Sequence, residues 1–86
     1  ELLVVNMPLH STYLDATRTR YETTFNSRMQ ELSLREGFTY LDISQAIQNQ
    51  DELFSDPSHL NKKGAIAIAK MLAQHPKFRW QALRKP

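Results

Sequence analysis

The sequence predicts a mixed α/β fold in which strands and helices alternate as βαβα on a parallel sheet. Three observations carry this expectation. An unbroken apolar run opens the chain, Leu2-Leu3-Val4-Val5, and such a run suits a strand covered on both faces. A stretch with helical periodicity follows and ends at Gly37, immediately ahead of the aromatic and β-branched segment Phe38-Thr39-Tyr40-Leu41-Asp42-Ile43. A second helical segment, rich in alanine, lies between Asn61 and Pro76.

The first strand is expected over Leu2 to Asn6, closed by Met7-Pro8. From Leu14 to Arg35 apolar side chains recur at Leu14, Tyr21, Phe25, Met29 and Leu32, with arginine and glutamate between them, which predicts a long amphipathic helix. Ser11, Thr12 and Asp15 are the candidate caps at its start, and Gly37 stands where a left-handed C-terminal residue is wanted. Strand, helix and strand then form one right-handed crossover. Ser44 to Gln50 has the composition of a helical turn, and Asp51 to His59 reads as a polar loop. Asn61 is placed to cap a helix running from Lys62 to about Gln74, whose small residues Gly64, Ala65, Ala67 and Ala69 permit close approach to a sheet. Residues 1–76 make up this βαβα body. Residues 77–86 form a basic, aromatic tail in which Phe78, Trp80 and Leu83 are the candidate anchors.

Composition narrows the function classes. The 86 residues are 41% hydrophobic and 23% charged, ordinary for a folded chain, and contain no cysteine, so neither disulfides nor thiolate metal sites can staple so small a body. The net charge of +2 is concentrated in the tail, while Arg18, Arg20, Arg28 and Arg35 are interleaved with Glu22, Glu31 and Glu36. That mixture describes a solvated face and not the one-sided basic surface of a nucleic-acid binder. No apolar run approaches the length of a membrane span, and the first residues lack a signal-peptide pattern. Two strands are too few for a stable sheet in water, so further strands are expected from missing sequence, a second copy or a partner. The start without methionine, inside an apolar run, suggests a piece of something longer.

The segment "LFSDPSHLNKKGA", Leu53 to Ala65, carries the one chemically suggestive pair, Asp56 and His59. A histidine accepts protons near neutral pH, and a carboxylate bonded to its other ring nitrogen sets its tautomer and stabilises the imidazolium. The plain alternative is that Asp56 and Ser58 bond loop amides and His59 packs over the helix start. A position after a parallel strand favours the chemical reading, since open α/β sheets place ligands at that edge. Asn6, His10 and Asp42 face the same rim if they follow the strand ends, with ordinary loop and capping roles as their alternative. His10, His59 and His75 are too scattered for a metal centre, and Asp56 with His59 supplies only two ligands. No cofactor is implied.

"FSDPSHLNKKGA" resembles the last conserved block of the SGNH (GDSL-like) hydrolases, in which a D-x-x-H element completes a Ser-His-Asp triad. The order "LLVVNMPLH", long helix, "FTYLDIS" and "LFSDPSHLN..GA" is similar to a bacterial branch frequent in cyanobacteria. The resemblance implies the C-terminal βαβα portion of a three-layer, flavodoxin-like parallel sheet acting on ester bonds by hydrolysis or acyl transfer. It makes His59 the base and Asp56 its orienter, with the remainder of the parent domain as partner. The family's nucleophilic serine and its oxyanion-hole glycine and asparagine lie upstream of this block, so the 86 residues alone are expected to be inactive. Among the chain's own serines, Ser58 is adjacent to His59, and neighbours seldom form an activating bond; Ser11 and Ser55 lack an oxyanion context. The resemblance implies a bacterial setting, with the cell envelope or periplasm as one compartment for the parent. A different class of function, a non-catalytic α/β module that self-associates or binds a partner through its first strand, is also compatible with these residues.

Overall fold

A computed structural model describes residues 2–78. Its element order is β1 (Leu3–Asn6), a 3₁₀ turn (Ser11–Tyr13), α1 (Ala16–Glu36), β2 (Thr39–Asp42), a second 3₁₀ turn (Asp51–Leu53), β3 (Phe54–Asp56), β4 (His59–Leu60) and α2 (Lys62–Ala73). The chain is therefore mixed α/β, with two helices and two sheets of two strands each among the described residues. Trp80, Leu83 and most of the basic tail lie outside them.

β1 and β2 run parallel, with Leu3 opposite Thr39 and Asn6 opposite Asp42. The ladder is flanked by bonds from the Thr39 amide to the Leu2 carbonyl and from the Ile43 amide to the Asn6 carbonyl, both 3.0 Å. In a parallel ladder alternate residues bond to alternate sides, so Leu3 and Val5 turn their backbone groups away from β2, and Tyr40 and Asp42 turn theirs away from β1. The two outer edges are treated differently. On the β2 edge Lys77 donates from Nζ to the Tyr40 carbonyl, whereas on the β1 edge no hydrogen bond among the described residues reaches the outward backbone groups of Leu3 and Val5.

Side chains alternate across the sheet, and each face receives one helix. On one face Leu41 and Ile43 join Ile68 of α2 and Phe78 in the buried core, with Leu3, Val5, Met71 and Leu72 packed against it. Ile68 is the most buried, at 1% exposure. Phe78, at the start of the basic segment, is part of this core.

The opposite face carries Asn6, Tyr40 and Asp42 and is covered by α1. The helix begins at Asp15, whose carboxylate accepts from the Arg18 amide at 2.8 Å, and ends at Gly37, held at φ 76° where a side chain would be strained. The expected inward stripe is corrected here. Tyr21 is 67% exposed and Phe25 lies at the margin, its ring edge-on to Tyr40 at 6.4 Å. The more sheltered positions are Glu22, Asn26, Met29, Leu32 and Ser33. Polarity of the sheet face accounts for the rotation: Asn6 donates to Glu22 at 3.0 Å and the Tyr40 hydroxyl donates to Asn26. Burial and the nearby carboxylates of Asp42 and Glu22 push the Tyr40 hydroxyl up to about 12.

Two further expectations need revision. Ser44 to Gln50 forms successive turns and not a helical one, because Ile47 adopts φ 55°, a left-handed conformation costly for a β-branched residue. Asp51 to His59 is not an open loop; it contains a 3₁₀ turn and most of an antiparallel hairpin, with Phe54 opposite Leu60 and Asp56 opposite His59.

Candidate functional site

The hairpin is short, three residues against two, and it is held from outside at its base. Asn61 binds back to it twice, its amide donating to the Leu53 carbonyl at 3.0 Å and its side-chain Nδ2 to the Glu52 carbonyl at 2.7 Å. The Asn61 side-chain oxygen meanwhile caps α2 by accepting from the Gly64 amide at 2.9 Å. Gly64 is required at this point: a Cβ there would lie 2.1 Å from the Leu53 carbonyl oxygen and 2.9 Å from Leu60. The close approach that the small residues of α2 permit is thus to the 3₁₀ turn and the hairpin.

At the tip, Pro57 and Ser58 link Asp56 to His59. His59 Nδ1 lies 2.9 and 3.0 Å from the two carboxylate oxygens of Asp56. A carboxylate only accepts, so Nδ1 carries the proton and the lone pair of the neutral ring sits on Nε2. Nε2 has no hydrogen-bond partner among the described residues, and the side chain is 72% exposed. Asp56 also accepts from the Ser58 amide at 2.9 Å and the Ser58 hydroxyl at 3.1 Å. The His59 bond first, and the Ser58 amide after it, hold the Asp56 carboxyl below its ordinary value of 3.8. The ensemble is a base whose tautomer is set and whose free nitrogen faces outward.

The serines take defined places. Ser58 reaches its neighbour, with Oγ 3.0 Å from His59 Nδ1. It meets the protonated nitrogen already shared with Asp56, however, so His59 in this tautomer cannot deprotonate it. Ser55 donates to the carbonyls of His59 and Leu60, and Ser11 to Asn49 Oδ1 at 2.5 Å. None of the three is bonded to Nε2.

Of the other rim residues, Asn6 and Asp42 belong to the α1 face. Asn6 bridges Glu22 and Asp42, and Asp42 accepts from the Ser44 amide at 2.9 Å. His10 does join the hairpin, and it is paired in a way the sequence did not disclose: Nε2 lies 2.5 Å from Asp51 Oδ1. A surface groove of about 290 Å³ is lined by His10 and Asp51 of this pair, by Asp56 of the first, and by Thr12, Phe54 and Pro57. Among the described residues no three His, Cys, Asp or Glu side chains converge to hold a metal ion, and no helix is long and apolar enough to cross a membrane.

Compared with known proteins, the chain matches no family model, no curated protein and no solved structure.

Proposed function

We propose that this chain is the C-terminal portion of an SGNH-like ester hydrolase or acyltransferase domain, in which His59 is the general base and Asp56 its orienter. The observation that carries the reading is the orientation of His59, with Nδ1 bound to both oxygens of Asp56 and Nε2 unpartnered and exposed. In such a reaction Nε2 takes the proton of a serine hydroxyl as it attacks an ester carbonyl, Asp56 stabilises the imidazolium, and the proton passes on to the departing alcohol. Nucleophile and oxyanion donors come from the remainder of the domain. The β1 edge is compatible with this arrangement: among the described residues no hydrogen bond reaches the outward backbone groups of Leu3 and Val5, which can pair with a further strand, whereas on the β2 edge Lys77 occupies the Tyr40 carbonyl. Strands added beside β1, with helices on both faces, would give the three-layer, flavodoxin-like sheet that the family resemblance implies.

The experiment is turnover of a short-chain p-nitrophenyl ester by the whole domain, with and without His59→Ala. Loss of the base is expected to cut kcat by about 10⁶-fold, the size seen when one member of a comparable triad is removed. Unchanged turnover in the folded variant would sink the assignment.

A further inference from the structure

We propose that His10, held by Asp51, is the positioning residue of the Asp56 and His59 pair. The inference deepens the reading of that pair as orienter and base, and rests on it for any consequence in turnover. It starts from a mechanical deficit. A hairpin of three and two residues with an irregular register does not fix its own tip, yet the tip is what sets Asp56 opposite His59. Asn61 and Gly64 secure only its base.

His10 supplies the other attachment through four contacts. Its backbone amide donates to the Pro57 carbonyl at 2.9 Å, directly between Asp56 and Ser58. Its ring stands edge-on to Phe54, the first residue of β3, at 5.2 Å and 88°. Nδ1 accepts from the Thr12 amide at 3.1 Å, with the Thr12 hydroxyl 2.9 Å away. Because an amide N–H only donates, Nδ1 holds the lone pair, so the neutral ring carries its proton on Nε2 and donates it to Asp51 at 2.5 Å. The side chain is 12% exposed. One residue therefore ties four segments into a single unit: its backbone amide holds the hairpin tip, while its ring joins the turn after β1, the 3₁₀ turn before β3 and the start of β3, with both ring nitrogens committed. The two histidines have opposite tautomers and opposite tasks: His10 is spent on structure, which leaves His59 Nε2 available.

Imidazole ¹⁵N spectra of His59 and the carboxyl titration of Asp56, recorded on the chain itself, test this. Asp51 is the residue to change first, because its side chain is 87% exposed and its truncation opens no cavity. In Asp51→Ala, His59 is expected to lose its preference for a proton on Nδ1, and the Asp56 carboxyl to titrate at higher pH, closer to its ordinary value. Asp51→Asn keeps an acceptor for Nε2–H and should restore both signals. His10→Phe, which keeps the ring contact and the backbone bond to Pro57, should behave as Asp51→Ala. Wild-type signals in folded Asp51→Ala would overturn the assignment. So would loss of the whole fold in that variant, since Asp51 would then support the body and not the hairpin tip. Ester turnover is not read in this experiment, so failure of the hydrolase reading and failure of the clamp are told apart.

Discussion

His59 meets Asp56 across a two-residue turn with one ring nitrogen between two carboxylate oxygens, at 2.9 and 3.0 Å. The bond favours the ionised carboxylate, so the folded carboxyl titrates below its ordinary 3.8. For a depressed acid the sign is fixed: the pair's contribution to stability is present above the unfolded value, and it is lost as pH falls through the lower folded one. The Asp56 side-chain carbon, followed by NMR, should therefore show a midpoint below 3.8, and His59→Ala should raise it. A midpoint that does not respond to His59→Ala contradicts the bond.

Gly64 and Gly37 should separate sharply on substitution by alanine. At Gly37 the cost is a left-handed backbone with open space around it, about 1 kcal/mol. At Gly64 the new methyl meets a backbone carbonyl at 2.1 Å, so α2 must retreat from the hairpin at a cost of about 3 kcal/mol or more. Urea midpoints of Gly37→Ala and Gly64→Ala measure the difference; equal midpoints would mean that α2 does not approach Leu53 this closely.

Tyr40 gives the alkaline limb. Its hydroxyl is raised from 10.0 to about 12 in the fold, so stability is fully present below pH 10 and declines as the unfolded state ionises first. The decline should span the interval between those two values and should be absent in Tyr40→Phe, which also gives up the bond to Asn26. Denaturant titrations at pH 9, 10 and 11 would show a parallel decline in both proteins if the limb had another source.

The open β1 edge predicts association of the isolated chain. Sedimentation is expected to show species above the monomer as concentration rises. Leu3→Pro should suppress them, because proline is tolerated at a strand's first residue and removes an amide that faces away from β2. A wild-type chain that stays monomeric throughout would contradict this use of the edge.

The features legible in the sequence are those set by local chemistry. Asp15, Gly37 and Asn61 are caps recognised from residue type and position, and each stands at the end of a helix that the periodicity outlines. The parallel pairing follows from two β-rich segments joined by a long helix. What was not legible depends on partners distant in sequence. The hairpin escapes notice because three- and two-residue strands flanking Pro57 show no alternation. The inward face of α1 is misjudged because Asn6 and the Tyr40 hydroxyl, on the sheet, draw Glu22 and Asn26 beneath the helix in place of Tyr21. Asp56 and His59 are visible as a motif at short spacing. His10 and Asp51, 41 residues apart, leave no local signal.

The central claim is that Asp56 fixes His59 as a base with its lone pair on Nε2. The imidazole ¹⁵N spectrum of His59, taken above the pH at which the ring loses its charge, tests it most directly. The account predicts a protonated Nδ1 and an unprotonated Nε2, with the preference abolished in Asp56→Ala. A ring that carries its proton on Nε2 in the wild-type chain, or that is indifferent to the removal of Asp56, would contradict it.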